Sequence, residues 1–223
     1  PKGYKTTLVY QNGKEITTLA NSNSNREYVY YDSIPEDLVN AFVAIEDRRF
    51  WEHNGIDVQG IARAFIKGLK SGDFDEGAST LTQQLIKNNV FNVGLNESTF
   101  LDKLERKVQE QYLAVDMEKK IDKKSIVEYY LNTIYLGEGC YGVETAAKTY
   151  FGKELSQLSV SECAVLAAIP QNPTKYDPLL SPDDNKTRRT QVLKYMLDLE
   201  YITQAQYDEA INDNVYKRIA SVS

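Results

Sequence analysis

The hydrophobic pattern divides the chain into a short β segment followed by a long helical part. The segments Leu8-Val9-Tyr10 and Ile16 to Leu19 flank Asn12-Gly13, a dipeptide that tolerates the positive φ of a type I′ turn. The pattern therefore predicts a short N-terminal β-hairpin, with a third short strand over residues 28–31. After residue 32 the apolar positions recur with the helical period, which is typical of amphipathic helices.

Capping residues mark the starts of about eight helices, so the predicted fold class is mainly α. The segments Ser33-Ile34-Pro35-Glu36 and Ser159-Val160-Ser161-Glu162 have the pattern of a capping box. Further starts are predicted at Asp57, Ser79, Asp122, Ser181 before Pro182, and Thr203 with Gln206. A long helix is predicted between the helix that starts at Ser79 and the one that starts at Asp122, and its inward face is expected to carry Leu101, Leu104, Val108, Gln111, Tyr112 and Val115.

The composition is that of an ordinary globular protein, and it excludes several classes. The 223 residues suit one large domain, or a domain with a small appendage. A net charge of −6 argues against a general nucleic-acid binder. A single His with two Cys cannot build a usual His/Cys zinc site, and Cys140 and Cys163 are expected to be buried free thiols. No stretch approaches the roughly 18 consecutive apolar residues of a membrane-spanning helix.

Three stretches carry polar groups that a plain solvated surface would not need. In the first, Glu46 follows the core position Ile45 at the end of an apolar helix. Partial burial there would raise the pKa of the carboxyl group toward the range of a general base. The alternative is a helix-terminal surface Glu. His53 has its own alternative, a hydrogen-bonded structural histidine.

The second and third stretches combine amides, hydroxyls and cations at helical spacing. Thr80, Gln83, Gln84 and Lys87 share one helix face, which suits a sugar and a phosphate but could also be an exposed polar face. The other stretch contains Lys103, Arg106, Lys107, Glu110 and Ala114. Its charges are either simple helix ion pairs or a pyrophosphate site in which Glu110 orients a cation or a metal.

Taken in order, these stretches resemble the peptidoglycan glycosyltransferase (transglycosylase) domain of class A penicillin-binding proteins and monofunctional transglycosylases. The first family motif stands as Glu46, Asp47, Phe50, His53 and Gly55, the second as residues 77–88, and the third as Arg106, Lys107, Glu110, Ala114 and Glu118. A fourth lies within residues 130–153 and a fifth within residues 158–170. The match covers about residues 34–180, most of the chain.

The resemblance implies a bilobed, lysozyme-like helical fold that polymerises lipid II into β-1,4-linked glycan and releases undecaprenyl pyrophosphate. Two catalytic residues follow: Glu46 as general base, and Glu110, which orients the cations or a divalent ion, Mg²⁺ or Mn²⁺, at the pyrophosphate. No cofactor is certain. The implied substrate-binding residues are Asp47, Phe50, His53, Ser79, Thr80, Gln83, Gln84, Lys87, Asn88, Lys103, Arg106 and Lys107.

One position departs from the family pattern. Members often carry an Arg eight residues before the third-motif Glu, where this chain has Asp102 beside Lys103. Either Lys103 substitutes for that Arg, or donor-phosphate binding depends more on Lys87, Arg106 and Lys107.

The resemblance also predicts partners and organisation. Expected partners are lipid II, the growing glycan strand and the membrane surface, without nucleic acid, and the expected location is the extracytoplasmic face of the cytoplasmic membrane. The predicted divisions are an N-terminal β segment after a membrane anchor (1–32), the glycosyltransferase domain (33–180), and C-terminal helices leading toward a transpeptidase domain that could follow (181–223). The competing functions are a lysozyme-like glycan hydrolase and a non-catalytic glycan-binding domain.

Overall fold

The structure, a computed structural model, describes residues 6–9, 15–19, 27–71, 79–91 and 100–222. Helices dominate these ranges, as the sequence predicted. They are α1 Glu36–Glu46, α2 Val58–Ser71, α3 Leu81–Val90, α4 Phe100–Glu118, α5 Lys123–Thr133, α6 Val143–Phe151, α7 Val160–Ala167, α8 Pro182–Asp198, α9 Gln204–Asn212 and α10 Val215–Val222. The sequence analysis did not anticipate α6 and α10. None of the described helices is long and apolar enough to cross a membrane.

The N-terminal part contains two short segments in strand conformation, β1 Thr6–Val9 and β2 Glu15–Leu19, paired antiparallel. The expected turn at Asn12-Gly13 lies outside the described residues, so the hairpin stays a prediction. The third strand is wrong, because residues 27–30 have no regular structure and a 3₁₀ helix covers Tyr31–Ser33. The Asn132 amide bonds both the N–H and the carbonyl of Val29, each at 2.8 Å, and so replaces a strand partner.

The hydrophobic core is built around α1 and α7. Residues 38–44 of α1 and 161–167 of α7 are buried, and α1 packs on α7 and α8. On another side, α3 packs on α4 and α5. Cys140 and Cys163 are buried free thiols, which confirms that prediction.

Most predicted caps are confirmed. Ser159 with Glu162 and Thr203 with Gln206 form capping boxes, while Asp122 caps α5 and the carboxylate of Asp57 accepts the Gly60 N–H at 2.9 Å. The Ser33 box is wrong: Pro35 is the residue before α1, and it has no side-chain acceptor. Ser181 precedes Pro182 as predicted, but its side chain makes no capping bond.

The start of α3 is one residue later than predicted. Thr80, not Ser79, is the N-cap, and its hydroxyl accepts the Gln83 N–H at 3.2 Å. The Gln83 amide oxygen accepts the Thr80 N–H at 2.8 Å in return. This box leaves Ser79 free to turn its hydroxyl toward α4.

The predicted inward face of α4 is wrong for three of its six residues, while Gln111 and Val115 are half-buried. Leu104, Val108 and Tyr112 are 50%, 57% and 73% exposed, whereas Glu110 and Ala114 are fully buried. Leu101 lies outside the described side chains. The helix has turned its charged and small-residue face toward α3, because that face has specific hydrogen-bond partners there. Its apolar stripe therefore lies on the surface.

Candidate active site

A cleft of about 450 Å³ opens between α1, α3, α4 and α8. Its walls contain one acidic side chain from α1, the polar face of α3, two charged side chains from α4, and a segment that includes part of α8. The lining residues are Ile45, Glu46, Ser79, Gln83, Gln84, Lys87, Asn88, Lys107, Glu110, Ile134, Pro170, Gln171, Arg188, Gln191 and Tyr195.

Glu46 is the last residue of α1, and its side chain is only 10% exposed. One carboxylate oxygen accepts the Gln84 side-chain N–H at 3.0 Å, and the other accepts an Arg188 N–H at 3.2 Å. Burial raises the pKa of Glu46, although Arg188 and the Gln84 hydrogen bond oppose the rise. A carboxylate with a raised pKa is suited to accept a proton near neutral pH.

Glu110 faces the same cleft from α4 and is fully buried. It accepts hydrogen bonds from Arg106 and, at 3.3 Å, from the Lys107 ammonium. Lys107 also donates to the Ser79 hydroxyl at 2.6 Å, which joins α4 to the start of α3. Glu110 therefore holds two cations in fixed positions beside the cleft.

The remaining predicted cations differ in position. Lys87 and Asn88 line the cleft from the second half of α3. Lys103 is exposed and is not among the described residues that line the cleft. Asp102 is half-buried beside it. The structure thus brings Lys87 and Lys107 to the cleft and leaves Lys103 on the surface.

Four other predicted substrate-binding residues, Asp47, Phe50, His53 and Thr80, do not line the cleft. They form a hydrogen-bonded and packed cluster behind it, called the knot below. Asp47 accepts a hydrogen bond from the His53 ring at 2.8 Å and one from the Leu81 N–H at 2.9 Å. The other ring nitrogen of His53 accepts the Gly55 N–H at 3.1 Å. This arrangement indicates the neutral tautomer with its proton on Nε2. Asp47 and His53 therefore fix the end of α1 against the start of α3.

The knot extends through Phe50, Thr80 and the end of α4. Phe50 is fully buried, and the Lys123 ammonium lies 4.3 Å from its ring centroid. The Thr80 hydroxyl donates to the Gly55 carbonyl at 2.8 Å. Lys123 also pairs with the Glu118 carboxylate at 2.7 Å. The substrate contacts expected of Phe50, His53, Asp47 and Thr80 stay predictions, while their positioning contacts are explicit.

Gly55 allows the loop after α1 to approach α4 closely. Its φ is +94°, and an added Cβ would lie 2.6 Å from the backbone carbonyl of Ala114. Only glycine fits both the conformation and the distance. The close approach to the backbone at Ala114 thus gives the first-motif Gly a structural role in packing this loop on α4.

The comparisons with known proteins agree with this arrangement. A family model described as Transglycosylase matches residues 12–197. The chain belongs to the transglycosylase family. Penicillin-binding protein 1A of Aquifex aeolicus (strain VF5) is 51% identical over 187 residues, which cover 84% of this chain and 25% of that protein. Penicillin-binding protein 1A of Streptococcus oralis is 43% identical over 215 residues, which cover 96% of this chain and 33% of that protein.

A solved structure also matches. The crystal structure of penicillin-binding protein 1A from Haemophilus influenzae superposes with a TM-score of 0.52 at 26% identity, covering 95% of this chain and 20% of that chain. The chain spans a quarter to a third of the length of these two curated relatives. The predicted resemblance to the transglycosylase domain of class A penicillin-binding proteins is confirmed.

Sequence reasoning about this transglycosylase domain missed one wall of its cleft. Arg188, Gln191 and Tyr195 come from α8, and Gln171 comes from the loop before it. The only sequence signal was the pair Arg188-Arg189 within a helix. Adjacent side chains on a helix point about 100° apart, so both arginines cannot lie at the centre of one exposed face. The pair therefore indicates that at least one of them lies toward the protein.

Proposed function

We propose that this transglycosylase domain polymerises lipid II into β-1,4-linked glycan strands and releases undecaprenyl pyrophosphate. The observation that carries the proposal is the composition of one cleft. A buried carboxylate, Glu46, shares it with Lys87 and with the Lys107–Glu110 pair. One group is suited to take a proton and the others to receive a negatively charged leaving group.

The reaction assigns the proton transfer to Glu46. Its ionised carboxylate takes the proton from the 4-hydroxyl of the acceptor sugar as that oxygen attacks the anomeric carbon of the donor. The bond from this carbon to the phosphate oxygen breaks on the opposite face, and its electron pair leaves with the pyrophosphate. Attack from the opposite face converts an α-linked donor into a β-linked product.

The leaving group needs charge stabilisation more than a strong general acid, because pyrophosphate is already a stable anion. Lys87 and Lys107 supply positive charge at the cleft, and Arg106 lies behind Glu110. Preorganised cations of this kind stabilise charge as it develops in the transition state. Glu110 contributes by holding Arg106 and Lys107 in place.

A protein-held divalent cation does not fit these residues. Both oxygens of Glu110 already accept from cationic side chains. No group of three potential His, Cys, Asp or Glu ligands occurs within the described part of the chain. We therefore derive no step through Mg²⁺ or Mn²⁺.

The two walls of the cleft suggest how the substrates are oriented. The cations lie on α3 and α4, while Gln171, Gln191 and Tyr195 give a wall of amides and an aromatic ring. We assign the donor pyrophosphate to the cationic wall and the acceptor sugar to the other. Arg188 lines the same cleft and donates to Glu46, and its buried Nε–H has no partner among the described residues.

Because lipid II is anchored in a bilayer, an enzyme that uses it must act at the membrane surface. The exposed apolar stripe of α4, formed by Leu104, Val108 and Tyr112, supports a contact between this face and the membrane. By likeness to the relatives, we propose an extracytoplasmic location at the cytoplasmic membrane. Their names as penicillin-binding proteins also support a fused transpeptidase domain in the full protein.

The direct test supplies labelled lipid II and separates the products by length. Polymer that forms with the wild-type protein and not with Glu46→Gln supports the proposal. Shortening of preformed glycan, without polymer from lipid II, would instead favour the lysozyme-like hydrolase, for which a buried Glu with a raised pKa would serve as general acid. Glycan binding without either product would favour the non-catalytic binding domain.

A further inference from the structure

The Gln84 side chain connects Glu46 to a buried tyrosine on α5. Its Nε2 lies 3.0 Å from a Glu46 carboxylate oxygen, and its Oε1 lies 3.1 Å from the hydroxyl of Tyr130. Tyr130 is only 1% exposed, and its ring packs edge-on against Phe42 at a centroid distance of 6.1 Å. The tyrosine is therefore fixed in the core while its hydroxyl reaches the amide.

The orientation of the Gln84 amide decides whether a hydrogen-bond donor or an acceptor faces the Glu46 carboxylate. With its N–H toward Glu46, the amide stabilises the ionised carboxylate. Turned over, it would place its carbonyl oxygen against that carboxylate, and two acceptors would face each other. The turned amide suits only a protonated Glu46, which can donate to the carbonyl.

We propose that Tyr130 is a positioning residue that donates its hydroxyl proton to Gln84, holds the amide N–H toward Glu46, and so keeps Glu46 ionised for the proton transfer. This inference rests on the proposed function. Without the hydroxyl, the Gln84 carbonyl would remain buried without that donor. A buried acceptor without a donor is destabilising, so the amide would lose its preference for the working orientation.

Tyr130 itself remains a neutral donor throughout the working range. Burial, and next the negative charge of Glu46, raise its pKa well above that of a free tyrosine. The neutral hydroxyl is the form that donates to Gln84 Oε1, and this bond leaves the amide N–H directed toward Glu46.

The other groups around Glu46 do not set the direction of the amide. Arg188 on α8 holds the second carboxylate oxygen, and Asp47 adds a neighbouring negative charge. The further charged groups that share the cleft are Lys87 on α3 and Lys107 with Glu110 on α4. None of these described groups hydrogen-bonds to the Gln84 amide, whereas Tyr130 and Glu46 each do.

The test compares two buried tyrosines that lose the same atom. In Tyr130→Phe of the full chain, the acid limb of the kcat/KM profile for lipid II polymerisation should move to higher pH by about half to one unit. The activity at high pH should change much less. Tyr150→Phe is the control, because Tyr150 is also fully buried but donates to the Leu136 carbonyl at 2.7 Å. It should lower the melting temperature and leave the profile in place.

A double-mutant cycle separates positioning from a general packing effect. Gln84→Leu should move the acid limb further than Tyr130→Phe does, and adding Tyr130→Phe to Gln84→Leu should produce no second shift. An unshifted profile in Tyr130→Phe overturns the inference. An equal shift in Tyr150→Phe, or an undiminished second shift in the Gln84→Leu background, also overturns it.

A second measurement does not depend on activity. In protein labelled with ¹³C-glutamate, the Glu46 carboxyl signal is assigned by its absence in Glu46→Gln and titrated in wild type and in Tyr130→Phe. A higher titration midpoint in Tyr130→Phe supports the positioning role even if wild type forms no polymer, in which case the proposed function alone fails. Equal midpoints overturn the positioning role even if wild type is active.

Discussion

The properties of Glu46 come from its place at the end of an apolar helix. Residues 38–44 of α1 are buried, so the next turn reaches the edge of the core and carries the carboxylate into the cleft. Burial then raises its pKa, while Arg188 and Gln84 keep the ionised form from being too costly. The sequence could predict the burial from Ile45. It could not predict Arg188, which is 142 residues away along the chain.

Replacing Glu46 by Gln should abolish the base and retain the fold. The amide is similar in shape and can still accept from Arg188, so we expect melting temperature and lipid II binding to remain close to wild type. Turnover should fall by roughly 10²–10⁴-fold, the usual contribution of a general base. In wild type, activity should decline as pH falls through the raised pKa of Glu46. Near-normal polymerisation by Glu46→Gln would remove it from the base role.

Lys87 and Lys103 form a matched pair for testing the cationic wall. Lys87 lines the cleft and Lys103 is exposed outside its described lining. Loss of a charge-assisted contact in Lys87→Ala should raise KM for lipid II by about 10–100-fold. Lys103→Ala should change KM by less than about threefold, as for an exposed charge. Steady-state kinetics on both variants decide whether Lys103 substitutes for the Arg that the family often carries at position 102. A larger effect at Lys103 would show that it substitutes for the family Arg.

At the scale of elements, the sequence predicts where most helices begin, but it does not predict which face of a helix is buried. Caps such as Ser159 with Glu162 depend on residues three apart, so the sequence contains the whole interaction. The orientation of α4 depends on partners from α3, such as Ser79, which no local pattern reveals. For the same reason, Phe50 and His53 were expected at the substrate although their contacts lie in the knot behind the cleft.

The loop after α1 approaches α4 closely at Gly55, and this gives a prediction for that residue. A Cβ there would clash with the Ala114 carbonyl at 2.6 Å and would also occupy a positive φ. Gly55→Ala should therefore destabilise the fold by about 3 kcal/mol or more and reduce polymerisation, since the knot positions Glu46. Gly139→Ala is the control: its φ is +72°, but nothing lies within 4 Å of the added Cβ.

Denaturant unfolding of the two glycine variants separates the cost of the positive φ from the cost of the steric clash with the Ala114 backbone. Gly139→Ala should cost only about 1–2 kcal/mol, which is the strain of the backbone conformation alone. Equal losses in Gly55→Ala and Gly139→Ala would mean that the contact with Ala114 relaxes without cost.

At the scale of the whole molecule, Glu162 joins the C-terminal helix to the core. It is fully buried in α7, and it accepts from the Lys153 ammonium at 2.8 Å and from the Arg218 guanidinium of α10 at 3.1 Å. Burial alone would raise its pKa, but the hydrogen bonds from Lys153, from the Ser159 N–H and from Arg218 outweigh burial and lower it. The carboxylate is therefore more easily ionised in the folded state than in the unfolded state.

The lowered pKa fixes the sign of a stability prediction. The contribution of Glu162 is present above its unfolded pKa of about 4.3 and is lost as pH falls through the lower folded value. Glu162→Gln should lower the free energy of unfolding by about 2–4 kcal/mol at pH 7, and the difference should shrink toward pH 3. The exposed Glu209→Gln on α9 should change it by less than about 0.5 kcal/mol. A pH-independent loss in Glu162→Gln would contradict the charge argument.

The exposed stripe of α4 gives a test of the proposed membrane contact. Leu104 and Val108 are 50% and 57% exposed one turn apart, where water gives them no favourable partner. Burying them in the interfacial layer of a bilayer would gain roughly 1.5–3 kcal/mol for each side chain that is fully covered. The double variant Leu104→Gln/Val108→Gln should therefore bind phosphatidylcholine vesicles at least about tenfold more weakly, as measured by co-sedimentation. Its fold should be unchanged, because neither side chain is in the core.

Activity on two forms of substrate distinguishes a membrane contact from a catalytic defect. The double variant should polymerise lipid II poorly when the substrate is embedded in vesicles and normally when it is dissolved in detergent, since the cleft residues are untouched. Leu180→Gln is the matched control, as Leu180 is 74% exposed and lies outside α4. It should behave as wild type in both assays. Equal vesicle binding by wild type and the double variant would mean that α4 does not face the membrane, and the stripe would then need another partner.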